Sequence, residues 1–213
     1  MASYQPIVRA KVINLITDQP QPGDRFLVDT NVWYWLTYTR AKLSPKPPKS
    51  YQTQHYPTYI KAALQAQSQI FWSGLSIAEL SSLIERSEWQ IFCATHQRRP
   101  EDFSLKEYRH GSPQERQQQV IPEIEAAWGL IETSGTCLET LVDQPTTAQT
   151  IGNLTIQELD SYDSLMLTTA TKTGINQVIT DDIDFITASG ITVFTANRNA
   201  IAAAKAQNQL IQR

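Results

Sequence analysis

A chain of 213 residues, 41% of them apolar and five of them Trp, can bury a sizeable core and fits one domain with room for insertions. The formal net charge of −3 lacks the global basic signature common in nucleic-acid-binding domains. Cys93 and Cys137 have no short metal-ligand spacing, so free thiols are expected and a disulfide framework is not.

Charge is unevenly placed along the chain. Residues 38–59 carry Arg40, Lys42, Lys46 and Lys49 with no acid, whereas residues 150–190 carry six acids against Lys172 alone. A divalent cation would offset much of that second excess. No run of about 18 apolar residues occurs, so no membrane span is expected. The N-terminus lacks a charged start followed by an unbroken apolar stretch, so no secretory signal is expected and a cytoplasmic location is.

In chain order, QPQPGD (19–24) reads as a hinge after an N-terminal arm. A short buried strand is predicted over Arg25–Val28, closed by Asp29, with a helix from Thr30 to Thr39. The stretch 41–57 holds four prolines and reads as a loop or extended insertion, with helical spacing from Thr58. A strand over Gln69–Trp72 precedes Gly74 and a helix over 76–89. The segment 94–113 reads as mostly irregular. Val120, Ile121, Ile124, Ala127, Trp128 and Ile131 share one face of a helix predicted over 114–133. A strand over 137–142, helices over 146–154 and 161–173, strands over 177–180 and 191–194, and an Ala-rich last helix complete the reading, with Gly174 as a C-cap. The Trp residues are assigned to the core, and His55, His96 and His110 to the surface.

Alternating strands and helices predict an α/β fold with a parallel sheet of about five strands covered on both faces. Ligands of such sheets sit at the carboxyl ends of the strands. Asp29 and the 181–184 cluster follow strands, and Glu79 and Asp163 lie near helix starts, so all can converge on one rim. Carboxylates gathered from separate element ends suit hard divalent cations. Such cations activate water and stabilise charge on a phosphodiester under attack. The pattern points to a metal-dependent nuclease.

Four motifs in order resemble the PIN domain: DTN after a strand, a Glu one turn into a helix, an Asp opening an apolar helix, and T-x-D-x-D-F after a strand. The matched stretches are roughly 25–40, 69–90 and 153–195. That family is a Rossmann-like α/β fold with many Mg²⁺- or Mn²⁺-dependent ribonucleases, bacterial toxin–antitoxin ribonucleases among them. The resemblance implies that Asp29, Glu79, Asp163 and Asp182 are catalytic and hold one or two metal ions. It implies an outer metal role for Asp184 and supporting roles for Asn31 and Thr180, leaving Asp181 as the variable position. It implies endonucleolytic products with a 5′-phosphate and a 3′-hydroxyl. RNA, an antitoxin protein and a homodimer are the partners it suggests. The expected organisation is one PIN-like domain over 1–213, with an arm over 1–24 and inserts near 40–58 and 94–116. Single-stranded RNA is the expected substrate, because a carboxylate rim needs the backbone to come close and a duplex is stiff.

Each position has a plainer alternative. Asp29 can cap the helix it precedes. Ser76-Ile-Ala-Glu79 is a capping-box sequence, and Thr155-Ile-Gln-Glu158 is read only as one. Asp160 and Asp163 lie one turn apart; Asp160 is assigned to the cap and Asp163 to the metal. Residues 181–184 can be a solvated turn. Arg40, Lys42, Lys46 and Lys49 can hold phosphates while Tyr38, Tyr51 and Tyr56 stack bases, or the insert is a solvated loop or packed lid. At the level of function, the alternatives are a non-catalytic RNA- or protein-binding module and a phosphatase of the haloacid-dehalogenase type. The second needs D-x-D after the first strand, and position 31 is Asn. No G-x-x-x-x-G-K-[ST] occurs, which excludes a P-loop enzyme.

Overall fold

The structure, a computed structural model, describes residues 5–213. In chain order, the first elements are β1 (Lys11–Asn14), β2 (Arg25–Val28), α1 (Thr30–Thr37), a 3-10 turn (Thr39–Leu43), α2 (Ser50–Gln65) and β3 (Gln69–Ser73). There follow α3 (Ser76–Thr95), α4 (Leu105–Gly111), α5 (Pro113–Glu115), a π turn (Arg116–Val120), α6 (Ile121–Ser134) and β4 (Thr136–Leu138). The chain continues with α7 (Gln144–Leu154), α8 (Ser161–Lys172), β5 (Gln177–Ile179), a 3-10 turn (Ile183–Thr187), β6 (Thr192–Thr195), α9 (Arg198–Ala206) and β7 (Leu210–Ile211).

The strands form one sheet in the order β4-β3-β2-β5-β6-β1-β7, and every pairing is parallel. Successive strand residues alternate between the two faces, as the pleat requires. Phe26 and Val28 of β2, Ile179 of β5 and Phe194 of β6 pack with α1, α2, Leu80 and Ile84 of α3, and Ala127 and Ile131 of α6. Leu27, Val178 and Val193 face the other way, toward Met166, Leu167 and Ala170 of α8 and Ala200 and Ala204 of α9. The result is the expected Rossmann-like α/β arrangement, with helices on both faces of a parallel sheet.

From β2 the strand order runs outward to β3 and β4 on one side and to β5 and β6 on the other. The crevice between β2 and β5 is therefore the switch point, where ligands of open α/β sheets bind. Gly174 ends α8 with φ of 76°, a backbone conformation that favours glycine. Gly135 precedes β4 where an added Cβ would meet Ile70 O at 2.7 Å, so no larger residue fits there without displacing β3.

Several expectations are corrected. The sheet has seven strands rather than about five, because the arm supplies β1 and the residues after the Ala-rich helix supply β7. Residues 1–4 of the expected arm lie outside the described residues. The 40–58 insert is not an open loop. Pro45, Pro47 and Pro48 precede α2, and Pro57 lies inside it. An interior proline costs about 3 kcal/mol of helix propensity; the side chains of Tyr51, Gln52 and Tyr56 anchor this helix to residue 181 and offset that loss. The 94–113 stretch is not mostly irregular, since it contains α4, capped by a Ser104–Glu107 box. Thr155–Glu158 does not start a helix: Thr155 ends α7, and the Glu158 amide donates to Thr187 Oγ1 at 2.9 Å. His96 and His110 are exposed, and His55 is half-buried.

A buried carboxylate cluster at the switch point

β2 delivers Asp29 to the carboxyl edge of the sheet, where its amide donates to Ile179 O of β5 at 3.1 Å. Asp29 is the N-cap residue of α1 by position, yet its side chain makes no capping bond. Thr180 instead donates its hydroxyl to Asp29 Oδ2 at 2.7 Å. Asn31 was expected to support Asp29 but makes no hydrogen bond to it; it is half-exposed on α1. The capping alternative for Glu79 also fails. Leu75 is the N-cap residue of α3 and no side chain caps there, because the buried Ser76 hydroxyl points toward Met166 Sδ at 3.9 Å. Glu79 is thereby left facing the sheet edge. On α8 the two neighbouring acids divide: Asp160 accepts from the Asp163 amide at 2.9 Å and caps the helix, which leaves the Asp163 carboxylate uncommitted.

One carboxylate oxygen each from Asp29, Glu79 and Asp163 lies within 4.8 Å of the other two. Asp29 and Asp163 are buried and Glu79 is half-buried. Asp182 stands outside this closest group. Its amide donates to Thr180 Oγ1 at 2.9 Å, its Oδ1 accepts from the Asp184 amide at 2.9 Å, and its charge is felt by Asp29, Glu79 and Asp163. Asp184 lies beside Asp182, Glu158 and Asp160.

All three clustered acids are held above the ordinary carboxylate range. Burial is the first cause for each. For Asp29, the Thr180 hydrogen bond opposes the rise, while Glu79 and Asp182 add to it. For Asp163, the charges of Asp29, Asp160, Glu79 and Asp182 add to burial. For Glu79, Thr30 opposes burial, and Asp160 and Asp182 reinforce it. Among the described residues, no Lys or Arg forms an ion pair with Asp29, Glu79, Asp160, Asp163, Asp182 or Asp184.

The donor set is therefore all oxygen, close enough for shared coordination and not neutralised by a side-chain cation. It fits a hard divalent ion such as Mg²⁺ or Mn²⁺. Such an ion would relieve the repulsion that raises these acids.

The basic insert divides. Lys42, Lys46 and Lys49 are exposed. Arg40 is drawn to buried Glu88, with which it pairs at 2.8 Å. Tyr38 donates to the same Glu88 at 2.7 Å and is buried, as is Tyr56, so neither ring offers a face for base stacking. Asp181, left as a variable position by the family pattern, proves to be a hub of hydrogen bonds from α2. The signal for it was the i, i+4 pair Gln52 and Tyr56, hidden by reading this stretch as a loop.

No protein-family model matches the chain, and no curated protein matches it. Among solved structures, the chain is similar to the crystal structure of FitAcB from Neisseria gonorrhoeae. The identity is 16% and the TM-score 0.40, over 81% of this chain and 99% of that one. A likeness of that size carries no function to this chain. No helix among the described residues is long and apolar enough to cross a membrane.

Proposed function

We propose that this chain is a PIN-type endoribonuclease that uses Mg²⁺ or Mn²⁺ to hydrolyse phosphodiester bonds of single-stranded RNA. The observation that carries the reading is the convergence of Asp29, Glu79 and Asp163 at the β2–β5 switch point, within 4.8 Å and without a side-chain counter-charge among the described residues. In this reading the three carboxylates hold the cation, and Asp182 and Asp184 extend the acidic rim. A bound divalent ion would supply an activated water and stabilise charge on the phosphodiester oxygens.

The chain's own groups do the rest. Thr180 fixes Oδ2 of Asp29 and so orients the carboxylate. Asp160 takes the helix-capping role that would otherwise draw on Asp163. Burial raises Asp29 to about 7 and Asp163 to about 9, so protons compete with the cation and its binding releases them. Lys49 precedes α2, whose first turn reaches Asp181 beside the acidic cluster; with Lys42 and Lys46 it offers positive charge to the RNA backbone. An antitoxin protein and a homodimer follow from the PIN resemblance and are tested by co-purification and light scattering.

Asp29→Asn is the deciding variant. Its amide oxygen still accepts from Thr180, so the fold should persist. Cleavage of single-stranded RNA in Mn²⁺ should disappear, and Mn²⁺ affinity should drop by roughly tenfold or more. Undiminished cleavage by the variant removes the reading. A wild-type protein that binds RNA but neither cleaves it nor binds Mn²⁺ instead identifies a non-catalytic binding module.

A further inference from the structure

Asp181 lies between Thr180, which holds Asp29, and Asp182, yet its carboxylate is engaged by α2. Tyr51 Oη donates to Oδ2 at 2.8 Å and Gln52 Nε2 to the same oxygen at 2.7 Å. Tyr56 Oη lies 2.6 Å from Oδ1. Gln52 Oε1 accepts the Lys49 amide at 2.8 Å, which sets the amide with its NH₂ toward Asp181. Tyr56 has one proton, and its shortest contact is with Asp181. Its oxygen in turn accepts from the Ala196 amide at 3.0 Å and lies 3.1 Å from Thr195 Oγ1. The main chain is held too, since Asn197 Nδ2 donates to the Asp181 carbonyl at 2.7 Å. The donors to the carboxylate are neutral. They fix the charge in place without cancelling it, and no Lys or Arg ion pair reaches it among the described residues.

We infer that Tyr51, Gln52 and Tyr56 form a clamp that withdraws Asp181 from the cation pocket and so limits which carboxylates that pocket offers. These three are positioning residues that act through Asp181. The inference rests on the cation-binding reading above. Three aspartates lie within the four residues 181–184, and a bound cation attracts any of them. Sequestering one restricts the ligand number, which governs both affinity and selectivity for hard cations. The clamp comes from α2, so the helix that follows the basic insert also shapes the acidic site.

The sign of the effect separates this role from a merely structural one. Damage to the pocket weakens cation binding, whereas release of a withheld carboxylate strengthens it. Mn²⁺ binding to the full chain is measured by calorimetry and by the EPR signal of the bound ion. Tyr51→Phe combined with Gln52→Leu, both half-exposed positions, frees Oδ2 of Asp181 while Tyr56 keeps Oδ1. The freed oxygen should make Mn²⁺ bind about tenfold tighter through the added ligand charge, with an altered EPR spectrum. Adding Asp181→Asn should abolish that gain. In the otherwise wild-type chain, Asp181→Asn should leave Mn²⁺ affinity within about twofold, since a sequestered group adds no ligand charge. This arm holds even where the double variant does not fold. Unchanged or weaker binding by a folded double variant overturns the clamp, as does a gain that survives Asp181→Asn, or a tenfold loss in Asp181→Asn alone. A wild-type chain that binds no Mn²⁺ overturns the cation reading as well; any of the other outcomes leaves that reading standing.

Discussion

Thr180 uses one hydroxyl twice, donating to Asp29 Oδ2 at 2.7 Å and accepting from the Asp182 amide at 2.9 Å. It is fully buried, so water cannot replace either bond. Thr180→Val keeps the shape and removes both. The buried Asp29 oxygen and the Asp182 amide then lose a partner, which costs about 1–3 kcal/mol. Because Thr180 also orients Asp29, Mn²⁺ affinity should fall by roughly tenfold or more. Thr180→Ser keeps the hydroxyl and should retain most of both. Urea unfolding and calorimetric Mn²⁺ titration check the pair, and equal affinity in the Val and Ser variants would remove the orienting role. Asn31 gives the opposite lesson. Its place in DTN suggested support for Asp29, but Asn31 makes no hydrogen bond to it, and Thr180, the residue after β5, supplies the hydroxyl instead.

Two acids of α3 tie different elements, and their environments set different penalties for losing them. Glu88 is buried and receives Tyr38 and Arg40 from the segment after α1. Glu85 receives Arg109 of α4 and Arg116 of the π turn. Both of those guanidinium groups are more than a third exposed, so they return to water when Glu85 is lost. Glu85→Ala should therefore cost about 1 kcal/mol, little more than a surface pair. Glu88→Ala strands a buried Tyr38 hydroxyl and should cost about 2–3 kcal/mol, with Glu88→Gln recovering part of it through the Tyr38 bond. Urea midpoints in the reverse order would show that the burial of Glu88 is not what distinguishes them. These ties also show what was legible beforehand. β2 and β5 announced themselves as apolar runs closed by Asp29 and Thr180, and Glu79 and Asp163 stood at helix starts. That was enough to find the rim, because element ends of a parallel sheet share an edge. The partners of Arg40 and Asp181 were not legible. Glu88 lies 48 residues beyond Arg40, and the donors to Asp181 lie 125–130 residues before it on a helix obscured by its prolines. β1 escaped because polar Lys11 and Asn14 leave it only two consecutive apolar residues, and β7 because it is two residues long.

Across the whole molecule, two groups of acids pull stability in opposite directions with pH. The Glu85 carboxyl is held below its ordinary range, by Arg109 first and Arg116 next, against the push of burial. A lowered acid contributes stability above its unfolded pKa, and that contribution is lost as pH falls through the folded value. Asp29, Glu79 and Asp163 are raised, chiefly by burial. A raised acid is at no disadvantage below its unfolded pKa of about 4. Stability then falls as pH climbs from there through the folded values, because the native state must ionise groups that burial and mutual repulsion disfavour. The metal-free chain should therefore be most stable in mildly acidic solution and lose melting temperature toward alkaline pH. Asp163→Asn removes one buried charge and the repulsion it exerts on Asp29, so it should flatten the alkaline limb and raise the melting temperature there. Mn²⁺ acts on the same limb by favouring the ionised form. At a hundredfold excess over Kd, binding to the native state alone adds about 2.7 kcal/mol, and the gain should grow with pH as fewer protons have to be displaced. Asp163→Asn should lose most of that Mn²⁺-dependent stabilisation while gaining stability without metal. Melting curves of both proteins from pH 5 to 8, with EDTA and with Mn²⁺, test the two signs together. A metal-free alkaline limb that is equally steep in Asp163→Asn would place the source of the slope outside the carboxylate cluster.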